Sequence, residues 1–262
     1  MCRFVAYAGK PLSPATVVFG GSHSLVHQSY APQELLSGTV NADGYAVAWH
    51  PDGIDDSRPV RLAGAEPIWQ NGDLERLLAS VRSPILMAGV RNATPGILPE
   101  SSGVAPLVQG PWSFGLNGFL ENFRARLMRP LHAGVPDAIH GRLQGTSDTE
   151  ALFLLAQTAL ERGASLEDAA ADSVQYARRT ADELDLEAQL NLFLTAPDRI
   201  VVTRASNRAE SNSLYVSERG PLAPQGSLVA SEPLDDRDAW RSVPHGSLLT
   251  ATPHEPAEIK AL

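Results

Sequence analysis

The chain has 262 residues, 43% of them hydrophobic and 19% charged, with a formal net charge of −9. That length holds one large domain or two small ones, and the balance is that of an ordinary globular protein. The acidic charge argues against a general nucleic-acid partner, one cysteine excludes a disulfide framework or multi-cysteine metal site, and no stretch approaches the roughly 18 apolar residues of a membrane span.

The start, MCRFVAYAGKPLSP, lacks the apolar core of a secretory signal, so a cytoplasmic protein with a reduced thiol is expected. Residues 3–8, RFVAYA, predict a short buried strand, and residues 11–38 read as irregular. GYAVAWH (44–50) predicts a strand, with VRLAGAE (60–66) returning beside it. In GDLERLLASV (72–81), Leu74, Leu77, Leu78 and Val81 fall at helical spacing, with Asp73 and Glu75 in the first turn. PILMAGVRNA (84–93) predicts an apolar strand with a polar end. WSFGLNGFL (112–120) reads as two short strands pinched at Asn117-Gly118, a turn dipeptide. Ser147 and Glu150 form a capping-box signature before ALFLLAQTALERG, and Ser165 opens a second helix to about residue 184. Strands then return in AQLNLFLTA, RIVVTRA, SLYVSE, SLVASE and SLLTAT, with Pro197-Asp198 as the hairpin between the first two. Strands, then two helices, then strands predict an α+β fold. One domain over residues 2–252 is expected, with 253–262 as a flexible tail.

Cys2, the single cysteine, has two readings. It is either an inert buried thiol on the first strand or, once Met1 is removed, a nucleophile beside its own α-amine. A free thiol is only a few per cent thiolate at neutral pH, and an α-amine of pKa roughly 7.7–8.0 is a usable base at one residue's reach. Four further stretches draw notice: NADGY (41–45), RNATPG (91–96), LNG (116–118) and SDTE (147–150). Singly each has a structural explanation. Asn41 and Asp43 suit a turn, Arg91 a surface ion pair, Asn117-Gly118 a hairpin, and Asp148 a helix N-terminus.

The ordered set MCRFVAYAGKP, HSLVHQSYAPQ, TVNADGYAVAWH, EPIWQ, RNATPG, SDTEALF and SEPLDD with a following Trp resembles the class II glutamine amidotransferases. These are N-terminal-nucleophile hydrolases with cysteine as nucleophile. Within them the set is most similar to the γ-glutamyl hydrolase branch of ergothioneine biosynthesis, from Cys2 to about Leu249. The resemblance implies a four-layer αββα sandwich. It also implies Cys2 as nucleophile with its α-amine as base, and Arg91 and Thr94 on the substrate's α-carboxylate. Asn117 and Gly118 match the oxyanion hole, and Asp148 the acid that binds the α-ammonium. Leu116 stands where the family often has His before Asn-Gly, and Asn92 occupies a variable position.

The implied reaction hydrolyses γ-glutamyl-hercynylcysteine S-oxide through a glutamyl thioester, with no metal, ATP or organic cofactor. The expected partner is a small γ-glutamyl molecule, with neither nucleic acid nor membrane. No synthetase domain is recognisable, so a stand-alone hydrolase is expected. For the trimethylammonium of the leaving group, Tyr30, Tyr45, Trp69 and Trp112 are aromatic candidates that also suit a core. His23 and His27 fall in an expected loop near the site and receive no role. The competing readings are a glutaminase subunit supplying ammonia to a separate synthetase and a non-catalytic γ-glutamyl-binding protein of the same fold.

Overall fold

The structure, a computed structural model, describes residues 2–36, 38–53, 57–92 and 101–262. Two antiparallel sheets form its centre. The first has seven strands: β1 (Arg3–Leu12), β2 (Tyr45–His50), β3 (Val60–Gly64), β4 (Ser83–Val90), β9 (Tyr215–Glu218), β10 (Gly226–Ala230) and β11 (Arg241–Ser242). Their spatial order is β11-β9-β10-β1-β4-β2-β3. The second comprises β5 (Leu107–Gln109), β6 (Trp112–Leu120), β7 (Ala188–Ala196), β8 (Arg199–Arg204), β12 (Ser247–Ala251) and β13 (Glu258–Ala261). It runs β13-β12-β8-β7-β6-β5.

Side-chain alternation along a strand sorts residues into layers. On β1, Phe4, Ala6 and Ala8 point between the sheets and meet Phe193, Val202 and Leu249. Val5 and Tyr7 point the other way, into a core shared with the helices α1 (Pro14–Phe19), α2 (Leu25–Tyr30) and α3 (Leu74–Ala79). On β7, Phe193 faces the first sheet, stacking on Phe4 at 5.4 Å between ring centroids. Leu190, Leu192 and Leu194 face the opposite way, into a core shared with α4 (Met128–Ala133), α5 (Asp137–His140), α6 (Asp148–Glu161) and α7 (Leu166–Glu183). Three apolar layers therefore separate four structural ones, helix–sheet–sheet–helix, as the resemblance implies. Both faces of the central strands are covered, which is why they read as unbroken apolar runs. Helix α7 buries Leu166, Ala169, Ala170, Ser173, Val174 and Ala177 in a single stripe and turns its charges outward.

The predicted strands and long helices are in place, and β7 and β8 turn through Pro197-Asp198, with Ala196 opposite Arg199. Three expectations are corrected. Residues 11–38 hold the short helices α1 and α2, whose N-terminal amides are capped by Ser13 and Ser24. Residues 253–262, expected as a tail, contribute the edge strand β13, paired with β12. Asn117-Gly118 is not a turn, because β6 runs straight through it opposite Asn191 and Leu190. The turn lies earlier, at Gly110-Pro111 between β5 and β6, where Gly110 takes a positive φ. No helix among the described residues is long and apolar enough to cross a membrane.

Candidate active site

Register brings the first two candidate residues together. Arg3 of β1 lies opposite Val90 of β4, so Cys2 and Arg91 occupy the next step on adjacent strands, at the same end of the sheet. The NADG segment splints that end. The Arg91 N–H donates to the Gly44 carbonyl at 2.8 Å, and the Asp43 N–H donates to the Arg91 carbonyl at 3.0 Å. Arg91 Nε donates to the Asp43 carbonyl at 2.7 Å. Its Nη2, also buried, has no partner among the described residues. Arg91 is thus no surface ion pair. Its guanidinium is fixed from behind, leaves Nη2 unused, and shares the cavity lining with Cys2.

Asp148 arrives from the other sheet's side. Ser147 Oγ caps α6 by accepting the Glu150 N–H, as the capping signature predicts. The Glu150 carboxylate binds the Gln144 and Gly145 N–H groups. Asp148 Oδ2 accepts the Leu120 N–H at 3.1 Å, which ties the start of α6 to the end of β6. Cys2, Arg91, Gly118 and Asp148 all line one cavity of about 1050 Å³. Burial pushes the Cys2 thiol above its ordinary value; the Asn92 N–H pulls it back, Asp148 pushes it further up, and Arg91 pulls it down. Burial also raises the Asp148 carboxyl, against the hydrogen bonds from Leu120 and Thr149. A thiol between a cation and an anion, in a partly enclosed space, is suited to a ligand carrying both charges.

Asn117, fully buried, donates from Nδ2 to the Cys2 carbonyl at 2.7 Å. Gly118 is needed for close approach, since a Cβ there would lie 1.8 Å from the Gln189 carbonyl oxygen. Leu190, opposite Gly118, directs its own backbone groups toward β8, donating to the Ala205 carbonyl and accepting from Thr203 Oγ1. The pair is thus of the non-bonded kind, and the Gly118 N–H faces the edge of β6 away from β7, beyond the end of β5.

Thr94 lies outside the described residues, as does Met1. Of the four aromatic candidates, none lines the cavity. Tyr45 is core, its hydroxyl bonded by Asn71, and Trp112 packs against the core under α6. Tyr30 and Trp69 are exposed and meet edge-on at 5.8 Å. His23 is also structural, with Nε2 at 2.7 Å from Glu232 and Nδ1 at 3.0 Å from His27 Nδ1.

Sequence reasoning missed Arg3, Ser231 and Glu232. Arg3 is fully buried, ion-paired through Nε to Glu232 at 2.7 Å, and donates from Nη1 to the Cys2 carbonyl at 3.3 Å. Glu232 also accepts the Gln33 and Glu34 N–H groups. The SEPLDD stretch that contains Ser231 and Glu232 was visible only as part of the resemblance.

No family model matches the chain. It is 29% identical over 95% of both chains to the γ-glutamyl-hercynylcysteine sulfoxide hydrolase of Mycolicibacterium smegmatis. It is 28% identical to the probable glutamine amidotransferase DUG3 of Saccharomyces cerevisiae, over 95% of this chain and 81% of the yeast protein. Among solved structures, a glutamine aminotransferase class-II domain protein from Silicibacter pomeroyi superposes with a TM-score of 0.73 at 21% identity, covering 100% of this chain and 98% of that one. Likeness to the class II glutamine amidotransferases thus holds in both sequence and fold.

Proposed function

We propose that this chain, similar in sequence and fold to class II glutamine amidotransferases, hydrolyses the γ-glutamyl amide bond of γ-glutamyl-hercynylcysteine S-oxide. The products are glutamate and hercynylcysteine S-oxide. The observation that carries the reading is the convergence of Cys2, the unused donors of Arg91 and the Asp148 carboxylate on one cavity.

A γ-glutamyl head bears a carboxylate and an ammonium on one carbon. The planar fork of Arg91 suits the carboxylate, with Thr94 as helper, and Asp148 suits the ammonium. Held at both charges, the head presents its γ-carbonyl to Cys2 Sγ, and such positioning supplies much of the barrier reduction. Burial keeps the Cys2 thiol protonated at rest, so a local base is needed. Removal of Met1 provides one, the α-amine of Cys2. The amine takes the thiol proton, sulfur attacks the carbonyl carbon, and the oxyanion is met by Asn117 Nδ2 and the Gly118 N–H. Each such donor is worth about 2.7–4 kcal/mol in the transition state. Collapse breaks the C–N bond, and the protonated amine delivers its proton to the leaving nitrogen. Water then attacks the thioester, releasing glutamate and regenerating the thiol.

The yeast relative, named as a probable glutamine amidotransferase, supports a second reading in which the chain releases ammonia from glutamine. The cavity favours the first. At about 1050 Å³ it matches the upper range of sites for drug-sized ligands, far more than glutamine requires. Turnover of γ-glutamyl-hercynylcysteine S-oxide and of glutamine by the purified protein separates the two. A preference of at least tenfold in kcat/KM for the larger substrate is expected, and equal or reversed rates reject it. Cys2→Ala abolishes both activities in a folded protein, and intact mass shows Met1 absent from active wild type.

A further inference from the structure

Asn117 can serve an oxyanion only if the nitrogen of its side-chain amide, and not the oxygen, faces Cys2. Which end faces the thiol is decided by what the other end meets. Asn117 Oδ1 lies 3.0 Å from Ser231 Oγ. The Phe4 N–H also points at Ser231 Oγ, at 3.0 Å. A hydroxyl has one hydrogen, whereas an amide N–H can only donate. Ser231 Oγ therefore accepts from Phe4, and its single hydrogen goes to Asn117 Oδ1. With the oxygen end taken, Nδ2 is turned to Cys2, where it donates to the carbonyl at 2.7 Å.

Ser231 is itself rigidly set. Its N–H donates to the Phe4 carbonyl at 2.9 Å, and its carbonyl accepts from Ser213 Oγ at 2.7 Å. Asn117 is steadied from the main-chain side, where Asn212 Nδ2 donates to its carbonyl at 3.0 Å. Ser231, Asn117 and Asn212 are all fully buried, so no water competes for these bonds.

We propose that Ser231 is a positioning residue for the reaction: its hydroxyl holds the Asn117 amide with both Nδ2 hydrogens toward Cys2, one for the Cys2 carbonyl and one for the oxyanion. This inference rests on the hydrolase reading above. Without the hydroxyl, Asn117 Oδ1 is a buried acceptor lacking a partner. The soft terminal torsion of Asn then lets the amide rotate, carrying Nδ2 away from the reacting carbonyl.

The test uses Ser231→Ala and Ser231→Thr in the full chain with L-γ-glutamyl-p-nitroanilide, and kcat is expressed per mole of folded protein, the folded fraction being read from each variant's unfolding transition, so that unfolded protein does not count. Ser231→Ala should lower kcat about 10- to 100-fold, somewhat less than outright loss of an oxyanion donor. KM should stay within about twofold, because the contacts to the glutamyl head are untouched, as for any loss confined to the transition state. Ser231→Thr, which keeps the hydroxyl, should restore most of the loss. Wild-type kcat in Ser231→Ala, or a change confined to KM, overturns the inference. Should Ser231→Ala not fold, nuclear Overhauser contacts in labelled wild type decide. Contacts from the Asn117 amide protons to Cys2 support the inference, and contacts to the Ser231 β-protons overturn it. If wild type hydrolyses no γ-glutamyl amide, the function proposed above fails as well. If wild type is active and Ser231→Ala keeps its kcat, only this inference fails.

Discussion

Glu232→Gln should remove a pH-dependent share of stability that can be sized from the structure. Burial alone pushes the Glu232 carboxyl up. His23, Arg3 and the N–H groups of Gln33 and Glu34 reverse this and hold it down at about 2, against an ordinary 4.5. A depressed carboxyl contributes stability above its unfolded pKa and loses it as pH falls toward the folded value. The full contribution is on the order of 3 kcal/mol at neutral pH. Between pH 5.5 and 3.5 about 1.3 kcal/mol of it should disappear. Glu232→Gln also strands the buried Arg3 guanidinium, for a cost of about 3–5 kcal/mol near neutrality. Urea unfolding of both proteins at the two pH values gives the difference in stability, from which the other carboxylates cancel. That difference should shrink by about 1.3 kcal/mol on acidification. Parallel curves would show that Glu232 titrates in the folded protein as it does in the unfolded chain, and the electrostatic account of the Cys2 anchor would be wrong.

Arg91→Lys keeps the charge but loses both the fork and the Nε bond to the Asp43 carbonyl. It should raise KM for γ-glutamyl substrates at least about tenfold, equivalent to about 1.4 kcal/mol, and an unchanged KM rejects Arg91 as the carboxylate clamp. Gly118→Ala drives a Cβ into the Gln189 carbonyl. The forced separation of β6 from β7 should cost about 1–3 kcal/mol and lower kcat, read from the melting temperature and steady-state rates. A variant as stable and active as wild type rejects the close approach.

Much of the layering was legible because fully covered strands such as β4 and β7 leave long apolar runs. Helices α6 and α7 announce themselves through Ser147, Ser165 and 3.6-residue periodicity. What misled was glycine. Asn117-Gly118 carries the chemistry of a turn, yet its glycine serves strand contact, and the actual turn at Gly110 lacks the Asn-Gly signal. The α1 start was readable in principle, since Ser13-Pro14 is a cap followed by proline in the first turn. Cys2, Arg91 and Asp148 each have an ordinary structural explanation taken singly, and they drew notice as an ordered set whose roles the family resemblance implied. Ser231 and Glu232 were not assigned roles, because a lone serine or glutamate has no spacing that marks it as buried. Their importance depends on β10 lying beside β1, which is a property of topology.

That neighbourhood constrains the amino terminus in another way. β1 is gripped on both flanks and sends alternate side chains into two different interiors, so sliding by one residue would throw Phe4 among the helices and Val5 between the sheets. The strand cannot absorb an extra or missing residue at its head. In the proposed mechanism, trimming that stops short leaves the sulfur in place with its amine blocked, and trimming one residue too far removes the sulfur itself, so the accuracy of the processing enzyme, not the flexibility of the sheet, would decide how many molecules are competent.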